Sequence, residues 1–135
     1  MKEVQPIRSL EKIAEIKKRL ALNGSRDVLL FSMGINTGLR ISDLLSLKVG
    51  DVRGKNEYLL KEKKTKKNKR ILLHAVRRDI EDYTHFKADN EYLFASKKGL
   101  GPITRVQAYR ILNQAAQDCG LSEIGTHTLR KTFGY

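Results

Sequence analysis

Three short segments of the chain carry residue types suited to binding a phosphate group. In the first, residues 37–44 (TGLRISDL), Arg40 follows a glycine-led turn at the start of a predicted helix. Free backbone N–H groups and the helix dipole favour an anion at such a position, and the planar guanidinium can hold two phosphate oxygens at once. This segment alone leaves a second interpretation open, a surface salt bridge between Arg40 and Asp43 on the same helix.

The second segment is the lysine-rich stretch over residues 61–70 (KEKKTKKNKR). It holds seven basic residues and one acid, which is half of the net charge of +12. Lys64 is our candidate for reaching a phosphate and its leaving oxygen. The other basic residues are candidates for neutralising a DNA backbone: Lys61, Lys63, Lys66, Lys67, Lys69 and Arg70. A solvated, disordered lysine loop is the alternative, but the apolar triplets YLL and ILL on either side favour a basic β-hairpin.

The third segment, residues 126–130 (THTLR), places His127 and Arg130 three residues apart. On a helix this spacing puts both side chains on one face, where they can present two donors to one phosphate. A lone histidine is more often a hydrogen-bonded structural residue. The arginine on the same face shifts the balance towards a phosphate-binding role.

The composition favours a polyanionic partner. Lys and Arg total 27 against 15 acidic residues, and nucleic acid is the most common partner of such a basic chain. No apolar run is long enough to span a membrane, and the first residues do not resemble a signal peptide, so we expect a cytoplasmic protein. The single cysteine, Cys119, allows no internal disulfide and is expected to pack as a small hydrophobic residue.

The hydrophobic pattern predicts a mainly helical α+β fold with a small antiparallel sheet that holds these segments. Strands are predicted at roughly 57–62 and 69–73, with a short strand or extended segment at 91–95. Phe86 and Val106 lie at helical spacing with other apolar residues. The predicted helices run from Ser9 to Gly24, from 25 to about 36, from Ser42 to before Gly50, over about 75–87, from Thr104 to Gly120, and from Thr126 or Thr128 onward.

Together and in this order, the three motifs resemble those of the tyrosine recombinases, or phage-integrase family: an Arg in TGLRxxDL, a Lys in a β-hairpin, and HxLR. The resemblance covers the chain from about residue 7 to residue 135. It implies the recombinase catalytic-domain fold, with Arg40 and Arg130 holding the non-bridging oxygens of the scissile phosphate. Asp43 would orient Arg40 or its helix without touching DNA.

The same resemblance implies that Lys64 is the general acid for the 5′-oxygen leaving group and that His127 assists by hydrogen bonding and proton transfer. In such a reaction a tyrosine attacks the phosphate, and the bond energy is kept in a 3′-phosphotyrosine link. The implied partners are double-stranded DNA and, for the full-length protein, further copies of itself on that DNA. No metal or other cofactor is implied, and the sequence has no ligand cluster suited to a catalytic metal.

The nucleophilic tyrosine of the family lies a few dozen residues after HxLR, which we expect to fall beyond the last residue of this chain. None of the five tyrosines matches it: Tyr58, Tyr83 and Tyr109 lie on apolar patterns, Tyr92 in an apolar extended segment, and Tyr135 only five residues after Arg130. We therefore expect residues 1–135 to be one incomplete catalytic domain without an N-terminal core-binding domain. We expect it to bind DNA without cleaving it.

Three other classes of protein fit parts of this pattern. A catalytically inactive DNA-binding or regulatory module with the same fold is the main alternative. A type IB topoisomerase uses a similar Arg/Lys/Arg/His set, although TGLRISDLLSL and HTLR are more similar to recombinases. A basic soluble domain unrelated to DNA is the third, and the order of the three motifs argues against it.

Overall fold

A computed structural model describes residues 10–61, 68–99 and 101–120 of the chain. The elements in chain order are α1 (Leu10–Ala21), α2 (Ser25–Thr37), α3 (Ile41–Ser46), α4 (Val49–Val52), β1 (Glu57–Lys61), β2 (Asn68–Leu72), a 3₁₀ turn (His74–Val76), α5 (Arg77–Thr84) and α6 (Arg105–Asp118). The mainly helical fold with a small antiparallel sheet is therefore confirmed.

The strands β1 and β2 form the predicted antiparallel hairpin. Glu57 pairs with Leu72 at one end and Lys61 with Asn68 at the other. Alternate residues face opposite sides, so that Ile71 is buried while Leu59 is exposed. The hairpin therefore rests one face on the core, and its strands lead towards residues 62–67, which lie outside the described residues.

The core consists of two clusters of buried apolar side chains. The larger one joins α2, α3, α5 and the start of α6 to the hairpin, and it includes Leu30, Leu44 and Ile80. The smaller one joins α1, α2 and α6 around Phe31 and Leu112. Cys119 packs at the edge of the smaller cluster, as expected for a free cysteine. The helix α2 belongs to both clusters and is the central element, as its nearly continuous apolar sequence predicts.

The single helix predicted from Ser42 to before Gly50 is wrong, because the chain between α3 and α4 is extended. Leu47 accepts a hydrogen bond from the Leu93 amide at 2.9 Å, and the Val49 amide donates to the Glu91 carbonyl at 2.8 Å. Pairing with a distant segment thus replaces the local helical bonds. The strand or extended segment predicted at 91–95 does not form a continuous strand: two isolated bridges, Lys48 with Tyr92 and Ala95 with Pro102, flank a turn at residues 93–94.

The helix predicted over 75–87 is shorter than expected. It begins with the 3₁₀ turn and ends at Thr84, and Phe86 beyond its end is 95% exposed. The Arg53 guanidinium donates to the carbonyls of Thr84 and Lys87, so a side chain that directly follows α4 fixes the turn after α5. The placement of Phe86 on an apolar face was therefore wrong.

The helix α6 is confirmed, with Thr104 as its N-cap accepting from the Gln107 amide at 3.1 Å. Val106, however, is 60% exposed, because the buried face of α6 is built on Ala108 and Leu112. The helix predicted from Thr126 or Thr128 lies outside the described residues. In the part of the chain that the structure describes, no helix is long and apolar enough to cross a membrane.

Candidate nucleic-acid interface

The turn between α2 and α3 determines where Arg40 lies. Gly38 adopts the left-handed conformation (φ 68°) that ends α2, and its amide donates to the Gly34 carbonyl at 3.2 Å. Leu39 and Ile41 on either side of Arg40 are buried in the larger core cluster, whereas Arg40 itself is exposed. The backbone at Arg40 is thus anchored from both sides while its side chain extends into solvent.

The guanidinium of Arg40 has no hydrogen-bond or ion-pair partner among the described residues. The alternative of a surface salt bridge to Asp43 is therefore not realised. Because α3 has only six residues, its dipole adds little, and the guanidinium itself supplies the attraction for an anion. An anchored backbone and a guanidinium that has no partner among the described residues are suited to binding a phosphate.

Asp43 lies in the first turn of α3 and is half-buried. Burial raises the pKa of Tyr58, and the negative charges of Asp51 and Asp43 raise this pKa further. Tyr58 belongs to β1 and packs against the larger core cluster, which also contains Leu44 and Leu45 of α3. The hairpin and α3 therefore share one core cluster.

The hairpin carries basic side chains on both faces near its tip. Lys69 is opposite Leu60 in the register, whereas Lys61 lies on the other face together with Arg70. All three are exposed, and Arg70 forms an ion pair with Glu57 across the hairpin. The remaining candidates lie outside the described residues: Lys63, Lys64, Lys66, Lys67, His127 and Arg130.

The base of the hairpin forms a shallow polar cleft of about 510 Å³ that the sequence did not indicate. It is lined by Lys55, Asn56, Glu57, Arg70, Leu72 and His74. Lys55 and Arg70 lie fifteen residues apart in the chain, and only the strand register brings them together. This cleft extends the basic surface of the hairpin away from its tip.

A second cleft, of about 600 Å³, lies far from Arg40. Its lining includes Arg26, Tyr83 and Lys87, at the start of α2 and near the end of α5. The helix α2 has 13 residues and is therefore roughly 20 Å long, with Arg40 following its other end. This cleft is therefore not part of the candidate interface.

The described tyrosines lie in packed surroundings. Tyr58 and Tyr83 pack against the larger core cluster, and burial raises the pKa of Tyr83 to about 12. Tyr92 and Tyr109 are partly buried, and the Lys48 ammonium lies 5.4 Å from the centre of the Tyr92 ring. Tyr135 lies outside the described residues.

The sequence analysis did not single out Thr37, which directly follows the helix predicted from 25 to about 36. Its side chain is buried and forms hydrogen bonds within the turn that leads to Arg40. A threonine directly before a helix-ending glycine is the only sequence signal for this arrangement. Within the described ranges, no group of three or more His, Cys, Asp or Glu residues is placed to hold a metal ion.

The arrangement of helices around a basic hairpin is the fold of tyrosine-recombinase catalytic domains. The XerA recombinase superposes with a TM-score of 0.73 and 20% identity, over 98% of this chain and 50% of that one. Lambda integrase (residues 75–356), whose crystal structure is bound to DNA, gives a TM-score of 0.71 and 18% identity, over 98% of this chain and 51% of that one. These TM-scores establish a shared fold.

The chain belongs to the phage integrase family, whose family model matches residues 7–135. It is 56% identical to a probable integrase/recombinase YoeC of Bacillus subtilis, over 98% of this chain and 74% of that protein. It is 32% identical to a tyrosine recombinase of Pseudothermotoga lettingae, over 89% of this chain and 43% of that protein. The chain thus spans only part of the length of these relatives.

Proposed function

We propose that this chain supplies the phosphate-binding part of a site-specific recombinase that integrates or excises DNA. Strands would be cut and rejoined through a 3′-phosphotyrosine intermediate. The observation that supports this most directly is the exposed guanidinium of Arg40, which has no hydrogen-bond or ion-pair partner among the described residues. Family membership gives this geometry its expected chemistry.

In the proposed reaction, Arg40 and Arg130 hold the non-bridging oxygens of the scissile phosphate. Negative charge grows on these oxygens as the tyrosine attacks, and two fixed guanidinium groups stabilise it. Lys64 gives a proton to the 5′-oxygen as its bond to phosphorus breaks. His127 donates a hydrogen bond and assists proton transfer, and Asp43 keeps the start of α3 in place. Each role is carried over from the family motifs.

We further propose that these 135 residues by themselves bind double-stranded DNA and do not cleave it. A tyrosine nucleophile needs an accessible phenol in line with the phosphate, close to the arginines. Tyr58 and Tyr83 pack against the core, and the pKa of each is raised above its ordinary value, which disfavours the phenolate. The recombining assembly would be several copies of the full-length protein on DNA.

DNA binding tests the first part of the proposal. Replacing Arg40 with Gln is expected to weaken binding to a mixed-sequence duplex by about tenfold, because the substitution removes a charge-assisted hydrogen bond to phosphate. The slope of log affinity against log salt should fall by about 0.9, the value for one phosphate. Fluorescence anisotropy measures both. Arg78→Gln is the matched control, since it removes the same charge from an exposed position on α5.

Equal effects of the two substitutions would reduce the role of Arg40 to net charge and would contradict the proposed phosphate site.

Cleavage is tested with the natural gene product that contains this chain, incubated with a nicked duplex. A covalent protein–DNA adduct is expected, and Arg40→Gln should lower its rate by roughly 10²-fold or more. Salt-dependent DNA binding without any adduct would favour the inactive regulatory module instead.

A further inference from the structure

We infer that Thr37 is a positioning residue for Arg40, since its hydroxyl holds the turn that presents the guanidinium to phosphate. The inference rests on the proposed function, because it concerns the same phosphate site. Thr37 itself is buried, so its side chain is not exposed to a bound DNA phosphate. Its effect on DNA would therefore pass through Arg40.

The hydroxyl of Thr37 makes two hydrogen bonds, one on each side of the helix end. It donates to the Met33 carbonyl in the last turn of α2 at 2.6 Å. It accepts from the Leu39 amide, beyond the end of α2, at 3.3 Å. One side-chain oxygen therefore ties the residue before Arg40 to the helix that precedes it.

The need for this link follows from the chain between the two helices. Gly38 is in the left-handed region, where glycine has wide conformational freedom and so does little by itself to fix the direction of the following residues. The Leu39 amide is buried, and a buried N–H without an acceptor is unfavourable. If the hydroxyl is removed, the turn must shift to satisfy that amide. Arg40, whose guanidinium has no partner among the described residues, would move with it.

Thr84 offers a matched comparison within the same molecule. It is also a buried threonine in the last turn of a helix, and its hydroxyl donates to the Ile80 carbonyl at 2.7 Å. It lies on α5, so the residues that follow it do not lead to Arg40. Valine at either position keeps the shape of the side chain and removes the hydroxyl.

The experiment measures the affinity of the chain for a mixed-sequence DNA duplex by fluorescence anisotropy. Thr37→Val is expected to weaken binding by about three- to tenfold, in line with the loss of a hydrogen bond that orients a charged group. Thr37→Ser keeps the hydroxyl and should restore wild-type affinity. Thr84→Val should leave the affinity unchanged, even where its melting temperature falls as much as that of Thr37→Val.

A double-substitution cycle with Arg40→Gln separates positioning from general stability. If Thr37 acts through Arg40, Thr37→Val costs no further affinity once Arg40 is Gln. An equal loss in both backgrounds overturns the inference and leaves the proposed function standing. If Arg40→Gln alone has no effect on DNA binding, the proposed phosphate site fails, and the inference fails with it.

Hydrogen exchange of the Leu39 amide gives a second measurement that does not depend on the folding of a variant. The amide should be protected from exchange in the unsubstituted chain. Exchange at the rate of an unprotected amide in the unsubstituted chain would show that the hydroxyl does not hold the turn, and would overturn the inference.

Discussion

The pKa of Tyr83 shows how strongly packing can change the ionisation of one side chain. Its ring packs against the larger core cluster, with the Lys87 ammonium 5.0 Å from its centre. Burial is the main cause that raises its pKa to about 12, and the charge of Arg26 acts in the opposite direction. A phenol that resists ionisation in this way is suited to packing rather than to attack on phosphorus.

The raised pKa has a consequence for stability at high pH. The ordinary pKa of a tyrosine is 10.0, so the folded chain holds the Tyr83 proton more tightly than the unfolded chain does. This contribution to the free energy of unfolding is fully present below pH 10 and is lost as the pH rises towards 12. Tyr83→Phe should make the denaturation midpoint less dependent on pH over that range.

The control for this prediction is Tyr92→Phe, which removes the phenol of another partly buried tyrosine. It matches the loss of one phenol, so the pH dependence of unfolding in Tyr83→Phe is compared with that in this variant as well as with wild type. Chemical denaturation at several pH values, with phenolate absorbance followed in parallel, makes the measurement. An identical pH dependence in wild type and Tyr83→Phe would contradict the effect of burial on this group.

At the scale of elements, the junction between α2 and α3 combines backbone conformation with core packing. The left-handed Gly38 reverses the chain after α2, and the buried Leu39 and Ile41 fasten the next turn to the core. The position of Arg40 depends on all three. A side chain at position 38 would strain the backbone of this turn and so shift Arg40.

Gly38→Ala is expected to lower the free energy of unfolding by about 1–2 kcal/mol, because an L-residue is strained in the left-handed region. Gly99→Ala is the control, since Gly99 is exposed, has no positive φ, and has open space where the added methyl group would lie. Urea denaturation of the two variants and the wild type gives the comparison. A loss in Gly38→Ala no larger than that in Gly99→Ala would mean that the junction is not held in this conformation.

At the scale of the whole molecule, charge is concentrated rather than spread evenly. Half of the net charge of +12 comes from the ten residues 61–70. Arg40 directly precedes α3, and α3 shares the larger core cluster with the hairpin strands that flank this charge. Such a concentration of positive charge favours a polyanionic partner.

Removing lysine charges between β1 and β2 tests whether the local charge or the net charge of the chain drives DNA binding. The first variant replaces four lysines between the two strands with Gln: Lys63, Lys64, Lys66 and Lys67. The slope of log DNA affinity against log salt concentration should fall by up to about 0.9 for each phosphate that is no longer neutralised. Four lysines elsewhere, Lys17, Lys18, Lys97 and Lys98, provide a variant with the same change in net charge. In anisotropy titrations over a range of salt concentrations, this second variant should show a much smaller change in the slope of log affinity against log salt. Equal slopes in the two variants would mean that net charge alone determines the affinity.

Local patterns predicted most of the elements, for reasons visible in particular residues. Apolar spacing and the Thr104 cap located α6, and apolar triplets around a basic tip located the hairpin. Errors arose where a distant segment competes with local bonds, as where Leu47 pairs with Leu93 and splits one predicted helix into two. Phe86 was misplaced because the side chain of Arg53, more than thirty residues earlier, fixes the turn that follows α5.

The sequence by itself determined the family motifs, the concentration of charge and the fold class, because these depend on residue types at short spacing. Only the tertiary structure decided that Arg40 has no ion pair with Asp43, that α3 and the hairpin share one core cluster, and that Thr37 bridges the end of α2 to Leu39. These features depend on how the backbone turns and on which residues the core brings together. Residue spacing does not predict such contacts, because they form between side chains and backbone groups that come together only when the chain has folded.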